Sequence, residues 1–416
     1  NITDMAWIGL LGSKAVAAVG VGGMYVWLSQ GLASLARMGG QVHVAQCLGR
    51  GDKEQAHRYA KTAVQLSILL GLAFAAVSLL FTDPLVGFFK LEGVKTILDA
   101  KIYMRITCGL ILFSFLNLTL TGLYTAQGDS KTPFVANFIG LLINLLLDPL
   151  LILGVGPFPR IEVAGAAVAT VSAQLVVMLV MMVGVFRSKK EENVLKGIRL
   201  FEPFSKEELG NICKIGGPTA IQGMVYCMIS MVLTRMVAAF GAEAIATQRV
   251  GGQIESVSWN TADGFAAALN AFVGQNYGAK KMDRVQEGYR ISFWTVAIWG
   301  ALIMLAFIIF PGPIAGVFFH EEKAMEIAIS YLIIIGFSEA FMCVELMTIG
   351  ALSGLGKTKL CSVISITATS MRIPLAMVLS RTSLGLDGIW WALTLTSVAK
   401  GIIFYLTFRY QMREKC

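Results

Sequence analysis

Charge is what this sequence has least of. Asp, Glu, Lys and Arg together make up 14% of its 416 residues, and 56% are hydrophobic. A soluble domain carries about a quarter charged residues, so an ordinary water-facing globule is excluded. Histidine is scarce too: His43, His57 and His320 lie far apart, without the spacing of a zinc site. Seven cysteines are an odd number and form no CxxC, which excludes a disulfide framework or a dithiol redox centre. Cys47, Cys108, Cys213, Cys227, Cys343, Cys361 and Cys416 fall mostly within apolar runs and read as small core residues. No GxxxxGK[ST], HExxH or GxSxG is present, and no strand precedes Gly251-Gly252 or Gly354-Leu-Gly356. Nucleotide-driven work and the commoner hydrolytic chemistries are thereby excluded, and the chain is read as a non-enzyme without a resident cofactor.

Long apolar runs are what the sequence has in abundance. They cover residues 1–12, 15–46, 58–82, 100–126, 132–154, 163–186, 215–240, 244–273, 289–318, 325–353, 359–380 and 386–408. All but the first are long enough, at about 1.5 Å per helical residue, to cross roughly 30 Å of hydrocarbon. The opening run from Asn1 is too short to span and lacks the basic flank of a signal peptide, so the chain is expected to begin inside its first helix. Helices are favoured over a barrel because backbone in lipid must bond internally, and barrel strands would alternate over about ten residues.

The net charge of +8 is carried mostly by short loops. Arg50, Lys53, Lys131, Lys280, Lys281, Arg284 and Lys357 follow even-numbered spans, and Arg187 to Lys214 adds a basic cluster, whereas Lys14, Lys90, Lys95, Arg160 and Lys323 are among the few on the other side. The positive-inside rule then places both termini in the cytoplasm of a multi-pass protein of the cell membrane, and no nucleic-acid partner is expected. The charged stretch up to residue 213 reads as a solvated cytoplasmic linker. Ser205-Lys-Glu-Glu208 reads as a capping box that starts a short helix leading into span 7.

The two halves repeat. Residues 12–51 shifted by 229 fall on 241–280 without a gap, and Gly12, Ala15, Val21, Gly22, Gly23, Ser29, Ala33, Val44, Gln46 and Gly49 meet identical residues. Gly122, Gly128 and Lys131 meet Gly350, Gly356 and Lys359 at a shift of 228. An even number of spans separates equivalent points, so the halves share one orientation. The fold expected is an all-α membrane protein: twelve transmembrane helices, the first incomplete, in two pseudo-symmetric six-helix lobes. The boundaries are 1–188 and 214–416, with 189–213 as linker.

An ionisable group inside a span costs several kcal/mol unless it meets protein, water or a partner. The candidates are Asp4, Arg37, Arg105 and Asp148 in the first half, and Arg235, Arg249, Glu255, Asp263, Glu339, Glu345, Arg372 and Lys400 in the second. Asn144-Leu-Leu-Leu-Asp148-Pro149 is the most informative run. Asn144 and Asp148 share a helix face, and Pro149 cannot donate to the carbonyl of Leu145, so the helix is expected to bend or loosen there. A freed carbonyl beside a carboxylate suits a cation or a proton-controlled water cluster; the same residues also make a polar bond between helices with a structural kink.

These features carry a resemblance. Asn-Ile-Thr-Asp4, Ala15 to Val19, the Asn144–Pro149 run, Val163-Ala-Gly-Ala-Ala-Val-Ala-Thr170 and Val273-Gly-Gln-Asn-Tyr-Gly278 occur in order, with Gln127-Gly-Asp-Ser-Lys-Thr132 and Ser353-Gly-Leu-Gly-Lys-Thr358 as paired glycine turns. Over essentially its whole length the sequence resembles the multidrug and toxic compound extrusion (MATE) family, nearest its DinF-like branch. That resemblance implies export of small, often cationic, organic compounds by alternating access, in exchange for H+ or Na+. It implies coupling acids in the N-terminal lobe, which match Asp4 and Asp148 with Asn144 beside them, and polar lining at Tyr103 and Thr170. A sodium ion would lie at Asp4, Asn144 and Asp148. The working form is expected to be a monomer in contact with membrane lipids.

At the repeat shift Asp4 meets Leu233, and the region matching Asp148, Ile373 to Ala376, has no acid, so this acid pair belongs to one lobe. In the other lobe Glu255, Asp263 and Glu345 are secondary candidates: Glu255 and Asp263 share roughly one face over two turns and either line a cavity or pair with Arg249 or Arg372. A flippase for lipid-linked precursors is the alternative function, with Arg37, Arg105, Arg235 and Arg372 as its cationic lining.

Overall fold

In the computed structural model, residues 7, 8, 10–91, 93–154, 159–188, 193–200, 202, 203, 205–319 and 321–413 are described, without the side chains of Ser13 and Ala242. Asp4, Lys189, Lys190, His320 and Lys415 lie outside the described residues. The chain divides into two compact units, Asn1–Cys47 with Asp52–Gly223, and Leu48–Gly51 with Met224–Cys416.

The first unit is built on α1 (Ser13–Arg50), α2 (Lys53–Leu80), the short α3 (Thr82–Gly87), α4 (Val94–Gly109), α5 (Leu112–Ala126), α6 (Lys131–Ile152), α7 (Glu162–Arg187) and the start of α8 (Lys206–Ala238). Helices α4 and α5 form one span bent by 42°. Between α1 and α2, Gly51 takes φ +80 and Asp52 accepts from the Gln55 amide at 2.9 Å, ending one helix and capping the next. The Gln127–Thr132 motif is a turn of the same kind: Gly128 sits at φ +86 and Asp129 accepts from the Thr132 amide and hydroxyl at 3.0 and 2.6 Å. Helix α6 packs closely on α7, and a β-carbon on Gly165 would lie 2.6 Å from the Leu151 carbonyl carbon. Small residues allow such backbone approach, the usual means of helix association in lipid.

The second unit holds the rest of α8, then α9 (Ala242–Gly278), α10 (Met282–Ile309), the short α11 (Pro311–Gly316), α12 (Glu322–Gly336), α13 (Glu339–Gly354), α14 (Thr358–Ser370), α15 (Arg372–Leu379) and α16 (Leu386–Arg413). Helices α12 and α13 form a second bent span, at 50°. Its core gathers around Trp390, Phe307 and Tyr331 in one cluster and around Tyr289, Met347 and Phe404 in another. Tyr289 stacks on Phe408 and bonds the Thr348 hydroxyl at 2.9 Å.

Among the described residues, eight helices are individually long and apolar enough to span a membrane, or up to ten if each bent pair is one span. Helix α9, with 37 residues, carries Glu243, Arg249, Glu255 and Asp263 and is too polar to qualify on composition. The apolar residues that face outward, among them Leu72, Leu146, Phe186, Trp294, Leu302 and Val378, form the surface that lipid requires.

Three local expectations change. The run 289–318 is not one helix: α10 stops at Ile309, and Pro311, which has no amide hydrogen to continue the ladder, opens α11. The short lead-in helix after Ser205 and span 7 are one continuous helix of 33 residues. The segment after residue 193 is not merely solvated. His57 Nδ1 donates to the Val194 carbonyl at 2.7 Å, Gln65 Nε2 donates to the carbonyls of Leu200 and Glu202, and Lys61 pairs with Glu202 at 2.8 Å. Gln127 Oε1 accepts from the Val194 amide at 2.9 Å.

Candidate functional site

Asn144 and Asp148 lie on the face of α6 turned into the first unit, at 2% and 0% exposure, while Leu145 and Leu146 on the opposite face are exposed. A one-turn spacing places the two polar groups together, and Asn144 Nδ2 donates to Asp148 Oδ1 at 3.3 Å. Pro149 stands inside α6 without breaking it. The helix runs on to Ile152, although Pro149 withholds its donor from the Leu145 carbonyl.

Tyr103 of α4 is buried in a cluster with Ile8, Val19, Ile152, Val163, Ala166 and Ala167. Ile8 and Ile152 are each four residues beyond the two acids proposed from sequence, Asp4 and Asp148. The structure thus brings the N-terminal segment, α4, α6 and the start of α7 to one place; Asp4 itself is outside the described residues. Thr170, about a turn past Ala166 and Ala167 on α7, is half-buried. Ion pairs near the ends of the spans fix the periphery of this unit. Lys101 holds the Asp83 carboxyl below its usual range by a 2.8 Å contact, and Lys61 does the same to Glu202.

Glu345, Glu255 and Asp263 of the second unit have different surroundings. Glu345 is taken up by Lys400 at 2.8 Å, with both side chains buried. Glu255 on α9 accepts a hydrogen bond from the Tyr331 hydroxyl of α12, with the Arg372 charge within electrostatic reach. Asp263, two turns on, is half-buried. Arg372 is held by hydroxyls, Thr396 at 3.0 Å and Ser397 at 2.8 Å. Glu339, 1% exposed, lies beside Ser258 and faces Glu255. Sequence reasoning did not name Tyr331 as a partner of Glu255; the repeat marks Tyr331 only as the equivalent of Tyr103, at a shift of 228. No group of three or more His, Cys, Asp or Glu suited to a metal ion occurs among the described residues.

A solved structure shares this fold. A MOP superfamily transporter from Pyrococcus furiosus superposes with a TM-score of 0.91 at 23% identity, over 100% of this chain and 92% of that one. This is the all-α, twelve-span, two-lobe architecture. Sequence relatives extend over nearly the full chain. A probable multidrug resistance protein NorM of Thermotoga maritima is 28% identical over 99% of this chain and 89% of its own length. An FAD transporter of Shewanella oneidensis is 25% identical over 97% and 89%. The family model MatE matches residues 1–150 and 218–378, and the chain belongs to that family.

Proposed function

We propose that this protein exports small organic compounds, many of them cationic, in exchange for H+ or Na+, and that it stands nearest the DinF-like branch of its family. The observation that carries the reading is the bonded Asn144–Asp148 pair, wholly enclosed in one lobe of a membrane protein. A carboxylate so placed is costly unless it takes a proton, a cation or a partner. In this reading Asp148, Asn144 and Asp4 hold the coupling ion, Tyr103 and Thr170 line the substrate path, and Pro149 allows α6 to change shape. Ion release leaves negative charge able to hold a cationic substrate, and competition for that charge couples the two fluxes. The transported sides follow from loop charge: both termini and the 189–213 segment are cytoplasmic, between lobes 1–188 and 214–416. The protein works as a monomer. The multidrug name of the Thermotoga relative supports this choice of cargo.

The discriminating experiment is uptake into inside-out proteoliposomes of the full-length protein, with an imposed proton or sodium gradient and three cargoes: ethidium, FAD and a lipid-linked sugar. Gradient-driven ethidium uptake supports the reading. Uptake of FAD alone, or of the lipid-linked sugar alone, replaces it with an organic-anion carrier or a flippase.

A further inference from the structure

The internal repeat preserves a contact as well as residues. Gly22 on α1 and Gly251 on α9 correspond at a shift of 229, and Tyr103 on α4 and Tyr331 on α12 at 228. A β-carbon on Gly22 would lie 2.9 Å from Cε1 of Tyr103 and closer still to Cδ1. A β-carbon on Gly251 would lie 2.7 Å from Cδ1 of Tyr331, 2.9 Å from Cζ, and closer still to Cε1. In each lobe the same ring edge therefore lies against a helix backbone at a position where only hydrogen fits. The adjacent glycines, Gly23 and Gly252, have nothing within 4 Å of such a carbon. Helix propensity disfavours glycine by about 1 kcal/mol relative to alanine, so Gly22 and Gly251 are weak choices for a helix unless the ring needs the space.

The surroundings of the two rings differ. Tyr331 is held on three sides: by Gly251, by Trp390 edge-on at 4.8 Å, and by Glu255, which accepts from its hydroxyl. In the first lobe Val26 stands where the repeat puts Glu255, and Ala167 stands where it puts Trp390, when Gly165 is set on Gly388. Tyr103 and Ala167 share one cluster, as Tyr331 and Trp390 share another. A methyl group replaces an indole beside the first-lobe ring, and a side chain with no acceptor replaces a carboxylate. In the first lobe the glycine is thus the one retained member of the three-sided clamp.

We infer that Gly22 is a positioning residue for substrate selection: by leaving room for the Tyr103 ring against α1, it sets how far that ring stands into the first-lobe site. This deepens the proposed function and rests on Tyr103 lining the substrate path. A methyl group at position 22 drives the ring away from α1, towards the small residues Ala166 and Ala167, and narrows the site for bulky cations.

The test compares Gly22→Ala, Gly23→Ala, Tyr103→Ala and Gly22→Ala/Tyr103→Ala in the full-length protein. The readouts are KM and maximal rate for ethidium and for the smaller cation tetramethylammonium. Gly22→Ala is expected to raise KM for ethidium several-fold at unchanged maximal rate, with little effect on the smaller ion. Gly23→Ala is expected to match the parent, and Gly22→Ala to add nothing once Tyr103 is alanine. Should Gly22→Ala not reach the membrane, the comparison of Tyr103→Ala with the double variant carries the test: equal transport supports the contact and a further loss overturns it. A parent-like Gly22→Ala, or equal changes for Gly22→Ala and Gly23→Ala, overturns the inference alone. A Tyr103→Ala variant with parent-like KM for both ions overturns the lining role and the inference with it. Independently of transport, the fluorine resonance of 3-fluorotyrosine at position 103 is expected to shift with Gly22→Ala and stay put with Gly23→Ala; no shift in either overturns the contact.

Discussion

Two buried polar arrangements, one in each unit, obey different energetics. In the second unit Lys400 and Glu345 meet at 2.8 Å with both side chains buried. Removing one partner of such a pair leaves an uncompensated charge and costs about 3–5 kcal/mol, whereas replacing both with apolar groups is often neutral. Lys400→Met is therefore predicted to lower the thermal midpoint of the detergent-purified protein markedly, and Lys400→Met/Glu345→Leu to recover most of the loss. A single variant as stable as the parent would show that the pair contributes nothing. The Asn144–Asp148 bond is of another kind: it joins a carboxamide and a carboxylate. Asn144→Leu removes that donor without adding charge, and is predicted to weaken ion dependence while the protein still reaches the membrane. At this scale the sequence was informative wherever spacing determines contact. Asn144 and Asp148 were legible because one helical turn brings them together whatever the tertiary fold does. The Tyr331–Glu255 bond was not, because it joins helices 76 residues apart in sequence and no local pattern encodes it.

Helices and their joints show which forces leave a trace in the sequence. Apolar length set the spans, and glycine at positive φ set the turns at Gly51, Gly128 and Gly356. The run 289–318 failed as one helix because hydropathy alone does not register the missing amide hydrogen of Pro311. Docking of the 193–202 segment was illegible for another reason: His57 and Gln65 bond backbone carbonyls, which any residue presents. That docking also has a pH signature. Lys61 keeps the Glu202 carboxyl below its ordinary value of 4.5, chiefly by their hydrogen bond and then by charge. A depressed carboxylate contributes stability above its unfolded pKa, and the contribution is lost as pH falls through the lower folded value. A spin label at Leu200→Cys, in a protein with Cys213 replaced, is thus predicted to keep constant mobility from neutral pH down to about 4.5 and to loosen below it. Lys61→Met is expected to remove the step; a step that survives would assign it to another group. The contact is partly exposed, so its effect is expected to be small. Within the first unit, Gly165→Val is predicted to force α6 and α7 apart. Overpacking of this kind costs about 1–3 kcal/mol, read as a lower thermal midpoint.

On the scale of the whole molecule, the repeat explains both the architecture and its asymmetry. Two copies of one six-span unit were legible from glycines at a near-constant shift, and a Gly–Tyr contact recurs in both. The copies have since diverged in their acids: the first holds Asp148 with Asn144, and the second holds Glu255 with Tyr331 and Glu345 with Lys400. The central claim is that the first-lobe acid couples ion and substrate movement. Each elementary charge carried through the full field draws about 2.3 kcal/mol per 100 mV. The direct measurement is ethidium transport by full-length Asp148→Asn in proteoliposomes, with proton and sodium gradients imposed separately and protein insertion verified. The variant is expected to insert and fold like the parent, while neither gradient drives ethidium across. Transport at the parent rate, with the parent's dependence on pH or sodium, would contradict it.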